Sequence, residues 1–185
     1  MDSLPREIDT AATPAVKVDG LTKDFGDVQA VRGIDLTVYT GETFGFLGPN
    51  GAGKSTTISI LCTLLDPTSG TARVADFDVL TQRDDVRRNI GLVFQETTLD
   101  VYLSAAQNLE FHAELYGVPR ELVRPRMKQV LEMVGLWDRR DSLVQPFSGG
   151  MKRRLEIARG LMHSPRVLFL DEPTVGPDPQ TRSST

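Results

Sequence analysis

An eight-residue segment, residues 48–55, constrains this chain more than any other. It reads Gly48-Pro49-Asn50-Gly51-Ala52-Gly53-Lys54-Ser55 and fits the pattern G-x-x-x-x-G-K-S/T. The pattern uses glycine because backbone N–H groups must wrap phosphate oxygens, and glycine permits both the close approach and the dihedral angles. An apolar run, Thr43 to Leu47, precedes the segment as a strand candidate, and apolar residues at helical spacing follow it. The sequence therefore predicts a phosphate-binding loop between a strand and a helix.

The residue types in this loop predict that its ligand is a nucleoside triphosphate with Mg²⁺. The helix that follows directs its positive N-terminal end at the bound anion. Lys54 supplies a point charge to the β- and γ-phosphates, the Ser55 hydroxyl can ligate Mg²⁺, and Thr56 completes the predicted nucleotide-binding set. An ordinary glycine-rich turn is the weaker alternative, because a chance match in a chain of 185 residues has odds on the order of one in a hundred.

Two carboxylates, Asp171 and Glu172, follow the apolar run from Val167 to Leu170. Open α/β sheets bind ligands at the carboxyl ends of their strands, and neighbouring strand residues point to opposite sides. Asp171 is predicted to hold the Mg²⁺ shell, through water, alongside Ser55. Glu172 is predicted to orient or deprotonate the attacking water. Without the phosphate loop, a solvated acidic pair would be the better interpretation; with it, the functional one is favoured.

Predicted strands and helices alternate along the chain, and the apolar strands lack alternating polar residues. This arrangement predicts an α/β core with a parallel sheet. Strands are predicted at Val16 to Val18, Ile34 to Val38, Thr71 to Val74, Ile90 to Phe94 and Val167 to Leu170. The first 15 residues are polar and are predicted to form a loose, flexible tail.

The region from about Leu99 to Pro146 is predicted to be helical. Ser104 and Gln107 form a capping box at the start of one helix. A second helix is predicted to start nearer Arg124 than Pro119, because a proline directly follows Arg124. Its Met and Leu stripe is interpreted as core rather than as a ligand site.

Composition and charge limit the classes of function. The net charge of -4 gives no broad basic footprint for nucleic acid. No apolar run approaches the length needed to cross a bilayer. The single cysteine, Cys62, rules out an internal disulfide and falls on the apolar face of the helix after Ser55, where packing is its expected role. A reducing compartment, the cytoplasm, is therefore predicted.

A third motif points to a family. Ser148-Gly149-Gly150-Met151-Lys152, leading into a helix, resembles the signature loop and helix of ATP-binding-cassette (ABC) ATPases. A serine cap followed by two glycines leaves N–H groups bare at a helix start, which suits an anion. Together with the phosphate loop and the acidic pair, the motif extends the resemblance from about Val16 to Arg182.

The resemblance implies roles for further residues. Phe25 lies where the family places an aromatic residue that stacks on adenine, and Gln95 matches the glutamine that contacts Mg²⁺ and the attacking water. Asp178 matches the acidic residue of the D-loop. A second cassette domain, in a homodimer, would face the first head to tail, with each ATP clamped between one phosphate loop and the partner's Ser148-Gly149-Gly150. A separate transmembrane permease would couple to the helical region and hold the chain on the inner face of the cell membrane; no nucleic-acid partner is expected.

The fold that the resemblance implies is an α/β P-loop NTPase core with a parallel sheet. An N-terminal antiparallel β subdomain and an inserted α-helical subdomain at about 99–150 would complete an ATPase domain over 16–185. The implied function is ATP hydrolysis that drives a drug or small-molecule exporter, since the stretches Gln95 to Asp100 and Gly70 to Val79 look closest to daunorubicin-resistance ATPases. The alternatives are a fragment that binds MgATP with little or no turnover, and a soluble cassette protein acting on ribosomes or DNA.

The sequence departs from the family pattern at four points. Phe25 replaces a tyrosine and Met151 a glutamine, both mild changes. Pro177 replaces a D-loop leucine and is expected to stiffen that loop. The family also continues into a strand with a switch histidine, for which neither His112 nor His163 can substitute. The chain is therefore expected to be truncated at its C-terminus, with lower stability or solubility and slower turnover.

Overall fold

The computed structural model describes residues 13–49, 51–94 and 97–170. Residues 1–12 of the predicted tail lie outside the described residues, as do five predicted site residues: Asn50, Gln95, Asp171, Glu172 and Asp178. The chain divides into two compact units, Met1–Asn89 and Ile90–Thr185. Within the described ranges, no helix is both long and apolar enough to cross a lipid bilayer.

An antiparallel sheet organises the first unit, with the strand order β2-β1-β3-β4. Its strands are β1 (Pro14–Phe25), β2 (Val28–Tyr39), β3 (Ser69–Val74) and β4 (Phe77–Asp78). β1 and β2 form a hairpin, and β3 pairs antiparallel with β1. Three of the four strands predicted in this unit are confirmed, although β1 begins at Pro14, inside the predicted tail. The predicted N-terminal antiparallel β subdomain is therefore present.

Strand β1 keeps an apolar face towards the core across a bulge. Val16 and Val18 are buried, and Lys17 between them is exposed. The register with β2 shifts between Val18 and Leu21, and Leu21 is the next buried side chain. An inserted residue moves the side-chain alternation by one position, so the buried face continues on the far side of the bulge.

Two helices, α1 (Lys54–Leu61) and α2 (Arg83–Asn89), complete the described part of the first unit. Helix α1 contacts β2 and β3, and its residues Ile60 and Leu61 are buried. Cys62 directly follows the helix and is also buried, which agrees with the packing role predicted for it.

The strand predicted from Thr43 to Leu47 is wrong, because this segment forms no regular structure. None of the strands in the described part of the chain pairs with it. A strand needs a neighbour that bonds its N–H and C=O groups, so an apolar run without one does not become a strand. Leu47 is accordingly 96% exposed.

The described residues of the second unit form two parallel strands and three α-helices. Its elements are β5 (Ile90–Val93), α3 (Ala105–Leu115), α4 (Arg120–Met133), a 3₁₀ turn (Trp137–Arg139), α5 (Gly149–Leu161) and β6 (Val167–Leu170). β5 and β6 pair in parallel, with Ile90 beside Val167 and Val93 beside Leu170. This pairing agrees with the parallel sheet predicted for an α/β core.

Helix α5 packs closely on strand β5. A Cβ atom placed on Gly91 would lie only 2.5 Å from the carbonyl oxygen of Gly160, so glycine is required at position 91 for this approach. The approach brings α5 beside Phe94, which directly follows β5.

The helices α3, α4 and α5 share one apolar core. Its members with no exposed surface include Ala105, Leu109, Ala113, Leu131, Leu155, Ala158 and Met162. The capping box predicted for α3 is confirmed: the Gln107 N–H donates to Ser104 Oγ at 3.1 Å, and the Ser104 N–H donates to Gln107 Oε1 at 2.8 Å.

The predicted start of α4 near Arg124 is wrong. The helix begins at Arg120, directly after Pro119, and contains Pro125 in its interior. An interior proline costs about 3 kcal/mol, because it removes a backbone hydrogen bond and crowds the preceding turn. Three buried side chains further along α4 (Met127, Val130 and Leu131) each contribute about 1.5–3 kcal/mol, so tertiary packing outweighs the local cost.

Candidate functional site

The predicted phosphate loop leads directly into helix α1. Gly53 is the N-cap, with a left-handed φ of 82°, and Lys54 is the first helical residue. The N–H of Thr57 donates to the Gly53 carbonyl at 2.8 Å and starts the helical ladder. The N–H groups of a first helical turn lack intrahelical partners, and no side chain caps this helix. The loop therefore presents a helix N-terminus, as predicted from the sequence.

Gly53 brings the loop against the β-sheet of its unit. A Cβ atom at this position would clash with the carbonyl oxygen of Ala30 in β2, at a separation that no real side chain tolerates. Its left-handed backbone is also unfavourable for other residues. Glycine is therefore required at position 53 on two independent grounds.

The Lys54 side chain folds back across the loop. Its Nζ donates to the carbonyl oxygen of Gly48 at 2.7 Å and to that of Pro49 at 2.8 Å. An ammonium group carries three donors, so a third can reach an anion held by the loop. The contact with β- and γ-phosphates that the sequence predicts for Lys54 would use this third donor.

Ser55 and Thr57, in the first turn of α1, differ in the exposure of their hydroxyl groups. Ser55 is exposed. Thr57 is buried, and its Oγ1 donates to the Gly53 carbonyl at 2.8 Å. Mg²⁺ takes oxygen ligands and keeps several waters, so the exposed Ser55 hydroxyl is the right type of group for the metal role predicted for it.

Phe25 lies at the end of the hairpin that also contacts the phosphate loop. Its partner across the hairpin is Val28, and Ala30, which meets Gly53, is two residues further along β2, about 7 Å away at strand spacing. The Phe25 ring is 50% exposed, with Lys23 Nζ 5.0 Å from its centroid. An exposed aromatic ring beside a phosphate loop is a suitable stacking surface for a nucleotide base.

The signature segment also forms the start predicted for it. Ser148 is the N-cap of α5, and its Oγ accepts the N–H of Met151 at 3.2 Å. Gly149 and Gly150 are exposed, and a Cβ atom added to either would meet nothing within 4 Å. Among the described residues, nothing therefore crowds the backbone at this helix N-terminus.

The sequence model of the ABC transporter family matches residues 31–175, well over half of the chain. The chain belongs to the ABC transporter family. The predicted resemblance is thereby confirmed.

Named relatives within the ABC transporter family support the predicted branch. The chain is 45% identical to the daunorubicin/doxorubicin resistance ATP-binding protein DrrA of Streptomyces peucetius, over 95% of this chain and 53% of that protein. It is 42% identical to the linearmycin resistance ATP-binding protein LnrL of Bacillus subtilis, over 91% of this chain and 54% of that protein. The chain therefore spans about half the length of the curated relatives it matches.

A solved ABC structure has the same fold. It is cbiO1 from Clostridium perfringens, described as part of the ABC transporter complex cbiONQ. The two share a TM-score of 0.81 and 32% sequence identity, covering 90% of this chain and 68% of that one. The predicted P-loop NTPase fold, with antiparallel β and α-helical subdomains, is confirmed.

The structure places part of the predicted ABC site in each unit. The phosphate loop, Phe25 and Ser55 belong to the first unit, and Ser148-Gly149-Gly150 belongs to the second. The other predicted catalytic and metal-binding side chains, and Asp178, lie outside the described residues. Their roles stay predictions.

Sequence reasoning missed one cluster of charged residues in this ABC protein. Arg153, Glu156 and Arg159, three residues apart on α5, bond to the segment that follows β5. The spacing of three placed them on one helix face, but nothing in the sequence identified what that face contacts.

The two histidines form a stacked, partly buried cluster with Tyr116. His112 Nε2 lies 3.4 Å from His163 Nδ1, and the Tyr116 ring stacks on both imidazoles. His163 Nε2 lies 2.8 Å from the Ile90 carbonyl and must be the donor, because a carbonyl only accepts. Burial, reinforced by the nearby His163 and Arg159, lowers the pKa of His112 to about 3. Burial also lowers the pKa of His163.

Proposed function

We propose that this chain binds MgATP through the loop at 48–55 and hydrolyses it to drive an ABC exporter. The observation that carries the proposal is the Lys54 ammonium, held across the loop by the Gly48 and Pro49 carbonyls at the N-terminus of α1. A fixed cation at a helix N-terminus is a general anion-binding arrangement. Phe25, exposed on the adjoining hairpin, would stack on adenine.

The metal and catalytic roles follow the sequence prediction. Ser55 would ligate Mg²⁺ together with Gln95 and, through water, Asp171, and the bound ion would neutralise charge on the β- and γ-phosphates. Lys54 would stabilise the same charge from the loop side. Glu172 would orient or deprotonate the attacking water, with Gln95 contacting it.

A second copy of the chain would complete each nucleotide site. Ser148-Gly149-Gly150 offers an exposed helix N-terminus with open space around it, which supports contact with a partner's triphosphate. Asp178 would lie in the same interface. The cbiO1 protein, which has the same fold, is described as part of an ABC transporter complex, and this description favours assembly of the present chain with other subunits.

A membrane-embedded permease is the proposed second partner. Phe111 and Leu115, one helical turn apart on α3, are 67% and 69% exposed and together form an apolar patch on one helix face. This face supports docking of a partner protein. The chain would then work at the cytoplasmic face of the membrane, and the relatives named for drug resistance favour export of a drug or small molecule.

Steady-state hydrolysis of MgATP distinguishes an ATPase from a chain that only binds nucleotide. The measurement compares the wild-type chain with Glu172→Gln, which keeps the side-chain size but removes the general base. The proposal expects the wild-type rate to exceed that of Glu172→Gln by about 10²-fold or more, within the range of general-base contributions. Equal, background-level rates in both proteins would favour the alternative, an MgATP-binding fragment with little turnover.

A further inference from the structure

Glu156, on helix α5, is a buried carboxylate. Its partners are Thr98, in the segment that follows β5, and Arg153, one helical turn earlier on α5. Glu156 is 2% exposed. Its Oε1 accepts the backbone N–H of Thr98 at 2.7 Å and lies 3.4 Å from Thr98 Oγ1. Its Oε2 lies 3.6 Å from Arg153 Nη1. A buried charge needs such partners, because desolvation without them is costly.

Two arginines on the same helix face bond the same segment. Arg153 Nη1 donates to the carbonyl oxygen of Phe94. Arg159 Nη1 donates to the Thr98 carbonyl at 2.9 Å, and its Nη2 donates to Thr98 Oγ1. Helix α5 therefore bonds backbone atoms at both ends of the segment from Phe94 to Thr98.

Stability alone is a weak reason for such a cluster. Replacing a buried ion pair by apolar side chains is often neutral or stabilising, so the buried Glu156 with two partly buried arginines is a poor way to hold a helix on a sheet. Charge-assisted bonds to backbone atoms do achieve something else, since they fix the positions of Phe94 and Thr98 at the two ends of the segment. The arrangement is that of a support for the segment.

We infer that Arg153, Glu156 and Arg159 are positioning residues that tie both ends of the Phe94–Thr98 segment to helix α5. The inference rests on the proposed function, because Gln95 is the second residue of that segment and α5 begins at Ser148-Gly149-Gly150. A displacement of the helix start on the partner's triphosphate is thereby transmitted to the segment that carries the proposed water-contacting side chain. The three charged side chains connect helix α5 mechanically to this segment.

The first test removes the central acceptor. Glu156→Ala deletes the acceptor of the Thr98 N–H, whereas Glu156→Gln keeps a carbonyl oxygen there, and Glu132→Ala is a control at an exposed position of α4. By NMR-detected hydrogen exchange, we expect the Thr98 amide to exchange at least about tenfold faster in Glu156→Ala and near the wild-type rate in Glu156→Gln. The amide of Leu131, in the helical core, should exchange as in the wild type in all three variants.

The second test uses a matched pair of arginines on α5. Arg159→Gln removes the guanidinium group that donates to Thr98. Arg154→Gln changes an exposed arginine on the same helix. Only Arg159→Gln should accelerate Thr98 exchange. In the same proteins, the affinity for MgATP should stay within about twofold of the wild type, while kcat falls about tenfold in Arg159→Gln and Glu156→Ala with KM unchanged.

The outcomes separate this inference from the proposed function. The inference is overturned if the amide exchange rate of Thr98 is unchanged in both Glu156→Ala and Arg159→Gln. It is also overturned if the amide of Leu131 exchanges equally faster, because that result indicates general destabilisation. Local acceleration with an unchanged kcat also overturns it. If the wild-type chain shows no turnover, the hydrolysis proposal fails, and the mechanical link is then decided by the exchange data and their rescue in Glu156→Gln.

Discussion

Gly53 shows what a single residue contributes to the phosphate loop. The motif predicted a glycine there from its dihedral freedom and the close approach of phosphate, and the structure adds a further requirement, the contact with the Ala30 carbonyl. Likewise, the charge of Lys54 was predictable, but its bonds to Gly48 and Pro49 depend on the path of the loop. Sequence patterns identify which residues act, and packing determines how each is held.

Two glycine variants separate these requirements. Gly53→Ala adds a methyl group against the Ala30 carbonyl, so the loop must shift, and MgATP binding should weaken at least about tenfold with about 2–4 kcal/mol lost in unfolding free energy. Gly41→Ala is the control, because Gly41 has a similar φ of 85° but open space around its Cβ position. Its loss should be about 1–2 kcal/mol, with nucleotide affinity unchanged. Urea unfolding and titration with MgATP measure both; equal effects of the two variants would contradict the close-contact argument.

The histidine cluster makes stability depend on pH. The folded-state pKa of His112 is lowered from 6.5 to about 3, so folding favours its neutral form. Its stabilising contribution is therefore complete above about pH 6.5 and is lost as the pH falls towards 3, with a slope approaching about 1.4 kcal/mol per pH unit for one proton. His112→Phe keeps the ring but cannot be protonated. Urea unfolding between pH 7.5 and 4.5 should show a shallower loss for this variant, and identical slopes would refute the assignment.

Single elements were predictable where the signal is local. The capping box at Ser104 and Gln107 lies where expected because both partners are three residues apart on the chain. The segment Thr43 to Leu47 and the start of α4 were predicted wrongly because their conformations depend on distant partners. A strand requires a neighbouring strand, and α4 is held by its buried face despite a proline.

Replacing that proline tests where α4 begins. If the helix starts at Arg120, Pro125 interrupts its interior, and Pro125→Ala should raise the unfolding free energy by about 1–3 kcal/mol by restoring a backbone hydrogen bond. If the helix started near Arg124, Pro125 would occupy the first turn, where proline is favourable, and the substitution would be neutral or destabilising. Pro119→Ala, at the N-cap, is the control and should not stabilise the protein.

For the whole molecule, membership of the ABC transporter family was predictable because three motifs occur in the family's order. The two-unit organisation was not, since no linker composition marks Asn89 and Ile90. A family motif can be recognised from a few neighbouring residues. The division into two units depends on contacts between residues far apart in the sequence, which no local pattern shows.

The proposed dimer can be tested at the signature helix. MgATP added to Glu172→Gln, which should retain bound ATP, is expected to shift its sedimentation from monomer to dimer. Adding Gly149→Asp places a carboxylate in open space at the proposed anion site, so dimerisation should be lost by charge repulsion while MgATP still binds the loop. Gly149→Ala, a neutral addition in the same space, should dimerise normally. Dimerisation that persists with Gly149→Asp would exclude this helix start from the interface.

Calorimetric titration of MgATP tests the central claim most directly. Wild-type protein and the surface control Lys17→Ala should bind MgATP with the same affinity. Lys54→Ala should bind about 10- to 100-fold more weakly, because a charge-assisted contact contributes about 1.5–3 kcal/mol. No heat from the wild-type protein, or equal binding by Lys54→Ala, would contradict the assignment of residues 48–55 as the phosphate site.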